Sequence, residues 1–127
     1  MALNTVASRT VTEGNSVIYT ATLKDAAGVV LTLASIDTIT LTLYDVTTAG
    51  IINSRTAQDV KNTNQVTIHA TSGLLTWAAL PADMAIVGTP DAGATETHIA
   101  LFECVYSTTK GLNHEVTIYV QQLTNVS

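Results

Sequence analysis

From Thr38 to Tyr44 the chain alternates strictly: Ile39, Leu41 and Leu43 interleave with Thr38, Thr40 and Thr42. A repeat of two puts these sets on opposite faces of a β-strand, one apolar and one polar. A helix would scatter them around its axis. The same period recurs in Val17, Tyr19, Ala21 and Leu23, in Val66, Ile68 and Ala70, and in Val116, Ile118 and Val120. Threonine supplies 23 of the 127 residues, whereas Lys and Arg together supply 5. Thr, Val and Ile lose rotamer freedom in helices and suit a pleated, half-buried surface. The chain is therefore expected to be all-β, with solvent faces built from Thr rather than charge.

Turn residues divide it into about eight short strands. These are Thr5 to Val11, Ser16 to Leu23 and Ile36 to Tyr44, with Val29 to Leu33 as an additional short edge piece. A short strand Ile51 to Arg55 follows, then Val66 to Ala70, Leu74 to Leu80, Glu96 to Ser107 and Leu112 to Leu123. Thr38 to Tyr44 has no charge and no Pro, so it is placed centrally, where no bare edge can template aggregation. Thr56 to Asn64 reads as a polar connection. Pro81 to Gly93 reads as the longest irregular stretch, with one helical turn at Ala82 to Ile86. Turns every 8–15 residues, with no internal repeat, point to one β-sandwich domain over residues 1–127. Met1 to Thr5 is expected to be a short N-terminal arm.

Composition excludes several classes. With 46% apolar and 12% charged residues the chain is not disordered. No run of 18 apolar residues exists, so no membrane partner is expected. A net charge of −5 argues against a nucleic-acid partner, which requires a basic stripe. Cys104 is the single cysteine and permits no intrachain disulfide. The first five residues lack a basic or apolar leader, so synthesis in a cytoplasm is expected.

The residues of chemical interest are few. His69, His98 and His114 show no metal-ligand spacing, so neither a metal nor a cofactor is expected. Glu96 and His98 share a strand face and could chelate weakly, but they are read as a pair that orders the strand start. His69 and His114 are expected at the surface beside Thr. Cys104 lies mid-strand next to Glu103, surroundings that raise a thiol pKa and argue against a nucleophile. Most carboxylates fall at turns, where Asp bonds its own backbone. Asp83, after Pro81, is expected to stabilise a corner. No catalytic motif is present, so the chain is not expected to be an enzyme. Trp77, Phe102 and Tyr19 are in phase with the core; Tyr119 is out of phase and expected outside.

Glu96 to Ser107 is apolar on both faces. Ala100, Phe102, Cys104 and Tyr106 form one face, and Ile99, Leu101 and Val105 the other. A sandwich buries one face of each sheet. The second is expected to lie under the Pro81 to Gly93 loop or against another chain.

Part of the text is familiar. Leu74-Leu75-Thr76-Trp77-Ala78-Ala79-Leu80-Pro81-Ala82-Asp83 precedes Ile86-Val87-Gly88 and then Glu96-Thr97-His98-Ile99-Ala100-Leu101-Phe102. Leu41 to Asp45, Ile51 to Arg55 and Gln58 to Val60 add to it. Across roughly residues 16–120 this resembles the small immunoglobulin-like virion proteins of tailed bacteriophages. His98-x-Ala100-x-Phe102-x-Cys104 is also similar to strand F of immunoglobulin variable domains, with His and Phe replacing Asp and Tyr. The resemblance implies a single immunoglobulin-like Greek-key β-sandwich of about 7–8 strands. It implies a non-enzymatic part of a virion, most simply a capsid decoration protein. Its partners would be the major capsid protein or other virion proteins, in a multi-copy assembly. The alternatives are a tail, neck or baseplate adaptor, or a carbohydrate-binding host-attachment module. Expected contact residues are Ile99, Leu101, Val105, Tyr119, Met84 and Ile86, with the N-terminal arm.

Overall fold

A computed structural model describes residues 2–88 and 94–122, with side chains from Ser8 onward. Eight strands form two sheets that pack face to face. They are β1 (Ala2–Thr12), β2 (Val17–Thr22), β3 (Ile36–Asp45), β4 (Gln58–Asp59), β5 (Val66–Ile68), β6 (Leu74–Ala79), β7 (Thr95–Tyr106) and β8 (Lys110–Gln121). The larger sheet runs β1-β8-β7-β3-β4 and the smaller β2-β6-β5. β1 joins β8 in parallel; the other pairs are antiparallel. The chain crosses between sheets after β1, β2, β4 and β6, and stays within a sheet at β3–β4, β5–β6 and β7–β8. The all-β sandwich read from the alternation is the architecture found.

The inner faces meet in one core. From the larger sheet come Ile39, Leu41, Leu43, Phe102, Cys104, Val116 and Ile118, and from the smaller Tyr19, Val66, Leu75 and Trp77. Trp77 and Phe102 meet edge to face across the layers, with centroids 5.8 Å apart. β3 has β7 on one side and, on the other, β4 and the loop before it; Leu43 N–H donates to Arg55 O and Val60 N–H to Ile39 O. A bulge between Ile36 and Thr38 shifts the register by one residue, which lets both Ile36 and Ile39 face inward. Gly73 turns the chain between β5 and β6 at φ +70°, and a Cβ there would lie 2.8 Å from Leu23 O. Both conditions require glycine.

Some expectations change. Ala2 to Thr5 are not a separate arm but the first residues of β1. Ile51 to Arg55 is not a strand: Ile51 makes one isolated bridge to Tyr44, and Asn53 and Ser54 adopt left-handed backbone. Val29 to Leu33 likewise contributes only the Lys24–Val30 bridge. The helical turn expected at Ala82 to Ile86 is a 3₁₀ turn at Pro81–Met84. His114 is buried rather than superficial. It lies two residues from Val116 in the core phase of β8, and it stacks on Tyr19 with centroids 5.7 Å apart. The Tyr19 hydroxyl also hydrogen-bonds His114 Nε2.

Candidate functional site

Two places in the sandwich stand out. The first is the outer face of the larger sheet. Cross-strand register sets Leu101 between Thr42 of β3 and Glu115 of β8, and Ile99 between Tyr44 and Thr117. Val105 lies between Thr38 and Gly111, and Tyr119 opposite Thr97. Val105 is 39% and Tyr119 40% exposed, and Leu101 is half-buried. Ile99 is only 8% exposed. Four of the six expected contact residues are thus brought together on one outward surface.

The other two are not. Met84 is fully buried, since the 3₁₀ turn at Pro81–Met84 tucks it into the core. Ile86 is half-buried and packs against the same core. The described part of that loop lies at the inner end of the sandwich: Val87 and Gly88 N–H groups donate to Glu96, an inward-facing residue. The loop through Gly88 therefore does not cover the second apolar face of β7. Thr89 to Gly93 lie outside the described residues.

The second place is a buried polar cluster at the end of β3 and the start of β7. Asp45 and His98 oppose each other in register, and Glu96 precedes His98 by two on the same face. All three are buried. Each offers a donor atom within 4.8 Å of those of the other two. Glu96 Oε1 lies 2.5 Å from His98 Nε2 and accepts from Val87 N–H at 2.9 Å; Oε2 accepts from Gly88 N–H at 2.7 Å. Asp45 Oδ2 accepts from the Thr48 N–H and hydroxyl, both at 2.8 Å. Asp45 Oδ1 and His98 Nδ1 are buried without any hydrogen-bond partner. The Glu96–His98 pairing follows from their spacing. Asp45 was missed because 51 positions separate it from Glu96, and only the strand register brings it near.

A second polar group is fully satisfied. Arg55 clamps Asp83 with Nε to Oδ1 at 2.6 Å and Nη2 to Oδ2 at 3.0 Å. Asn53 and the Leu80 N–H also donate to Asp83, while Gln58 and Gln65 accept from Arg55. Asp83 is the corner residue expected from Pro81-x-Asp83, with Arg55 as an unforeseen partner. Cys104 is buried, and its thiol is pushed up to about 11, first by burial and then by Asp37, with Lys61 opposing. At neutral pH it is a packing group rather than a nucleophile. Trp77, Phe102 and Tyr19 are buried as their phase requires, so Tyr119 is the most exposed aromatic among the described residues.

No protein-family model matches the chain, and no curated protein shows significant similarity to it.

Proposed function

We propose that this protein is a non-enzymatic component of a tailed-phage particle. In this reading it is a decoration protein that binds the assembled capsid through the outer face of its larger sheet. The carrying observation is that face, where Ile99, Leu101, Val105, Tyr119 and Tyr44 sit among Thr38, Thr40, Thr42 and Thr117, with Glu103 and Glu115 on the same face. The chain itself buries Ile99, but the exposed Val105 and Tyr119 gain burial only against a partner, as side chains at the centre of a contact surface do. Binding the assembled lattice and not free subunits would stabilise the shell by mass action.

Two further features support the reading. The quoted text maps onto joints of the sandwich: Trp77 in the core, Asp83 at the corner held by Arg55, Glu96 at the start of β7. The order β8-β7-β3-β4 opposite β2-β6-β5 is also what an immunoglobulin-like sandwich uses for its G-F-C-C′ and B-E-D sheets. A sugar-binding role gains little, because Trp77, Phe102 and Tyr19 offer no stacking platform.

The test mixes purified protein with particles lacking it and with isolated tails, then sediments both. Saturable binding to capsids, with copy number scaling with shell area, is the expected result. Binding to tails at one ring's worth of copies would replace decoration by an adaptor role. Binding to neither, or to glycans alone, overturns the proposal.

A further inference from the structure

We infer that Asp45, Glu96 and His98 form a binding site for one divalent transition-metal ion of the zinc class, a site independent of the outer contact face. The charge at this place needs a counterpart. Two buried carboxylates and an imidazole lie together, with Glu96 against His98, and among the described residues no Lys or Arg pairs with either carboxylate. The same molecule handles its other buried carboxylate differently, giving Asp83 the full guanidinium of Arg55 and two further donors. Uncompensated buried charge is expensive. A divalent ion with two carboxylates and one neutral imidazole makes a neutral group.

The donor chemistry narrows the ion. One imidazole nitrogen with two carboxylate oxygens suits zinc and its first-row neighbours, while calcium and magnesium take oxygen ligands. Asp45 Oδ1 is buried without a hydrogen-bond partner, so protein hydrogen bonds leave this cluster incomplete; His98 Nδ1 is unpartnered too, but it lies on the ring edge away from Nε2, the nitrogen that meets Glu96. Buried polar atoms are normally satisfied, so the orphan Asp45 Oδ1 points to a missing partner. Donors around a tetrahedral zinc stand about 3.3 Å apart. The donor atoms already lie within 4.8 Å of one another, and Glu96 Oε1 and His98 Nε2, 2.5 Å apart, would separate to admit an ion. Asp45 and Glu96 also border a surface cleft of about 300 Å³ with Thr47, Thr48 and Thr97, which supplies an entry path and room for a water ligand.

Such an ion would act as a clamp. It would tie the end of β3 to the start of β7 and, through the Glu96 carboxylate, to Val87 and Gly88. Gly88 is part of the arrangement, because a Cβ there would stand 2.8 Å from Glu96 Oε2.

The experiment uses the full chain after chelator treatment. Titration with Zn²⁺ in a calorimeter should give one equivalent of binding, with Mg²⁺ and Ca²⁺ silent, and the thermal midpoint should rise by about 5 °C or more at saturation. Nitrogen-labelled imidazole spectra of the unmutated protein should show the His98 signals shifting with Zn²⁺ while those of His69 and His114 stay. Asp45→Asn and His98→Gln should each weaken binding at least about tenfold, and His69→Gln should leave it unchanged. Absent or non-stoichiometric binding overturns the inference. So does binding that shifts His69 or His114 instead of His98, or that survives both ligand variants. Should those variants fail to fold, the His98 signals of the unmutated chain decide the matter.

Discussion

Tyr19 and His114 share a hydrogen bond and a stacked contact between the layers, and burial acts on both in the same sense. It lowers the His114 pKa from the ordinary 6.5, since a buried imidazolium loses hydration. It raises that of Tyr19 from 10.0, with Arg9 opposing as the smaller influence. Each shift favours the neutral form in the folded state. Below about pH 6.5 the unfolded chain takes up the imidazole proton first, so stability falls as pH drops and levels off below the folded His114 value. Above about pH 9 the unfolded Cys104 thiol ionises first, and above about pH 10 the unfolded Tyr19 phenol does, so stability falls again as pH rises. Urea unfolding across pH should show a plateau between these limits. His114→Gln should flatten the acid arm and leave the alkaline one. An unchanged acid slope would show that other groups set it. Cys104 offers a second check at this scale. With its pKa near 11, only about one thiol in ten thousand is ionised at pH 7, so native labelling should be slow. Cys104→Ser should cost about 1–3 kcal/mol by urea titration, because the hydroxyl arrives in an apolar site.

At the scale of elements, the 46–65 connection holds its shape by long-range contacts rather than local preference. Ala49, Asn53, Ser54, Ala57, Asn62, Asn64 and Gln65 all have positive φ, a conformation that non-glycine residues adopt at a cost. The Arg55–Asp83 clamp pins this segment to the corner after β6. Arg55→Ala should therefore destabilise by about 3–5 kcal/mol, since it strands a buried carboxylate and frees the loop. That is a large fraction of a small domain's total, and chemical unfolding would measure it directly. A loss below about 1 kcal/mol would mean that Asn53 and the Leu80 N–H hold Asp83 unaided. The contrast with the strands explains what the sequence discloses. β3, β7 and β8 announce themselves by a period of two, a local property of consecutive residues. The same phase put Ile99, Leu101, Val105 and Tyr119 on an outer face and would have placed His114 inside, had the alternation been extended past Val116. Ile51 to Arg55 has the composition of a strand, yet its geometry is decided by Asp83, 28 positions beyond Arg55. Asp45 serves its own turn through Thr48, as its sequence context suggests; its place beside His98 exists only once β3 and β7 pair.

At the scale of the whole molecule, the two faces of the larger sheet have separable duties. The inner face builds the core with the smaller sheet, and the outer face adds nothing to that contact. A charge on the outer face should consequently spare the fold. Leu101→Lys suits this test because Leu101 is half-buried and lies directly opposite Glu115, which the new ammonium can pair with in the free chain. Unfolding midpoint and circular dichroism should then stay close to those of the unmutated protein. In a desolvated contact the ammonium loses its hydration and, even beside Glu115, no longer matches the partner surface that met Leu101, which should abolish sedimentation with capsids. Val105→Lys, more exposed and flanked by Thr38 and Gly111, should behave alike without any help from Glu115. Folded variants that bind capsids as well as the parent would move the contact surface elsewhere on the molecule. Variants that unfold would make Ile99, between Tyr44 and Thr117, and Leu101, between Thr42 and Glu115, structural residues, and the second apolar face of β7 would then serve the fold rather than a partner.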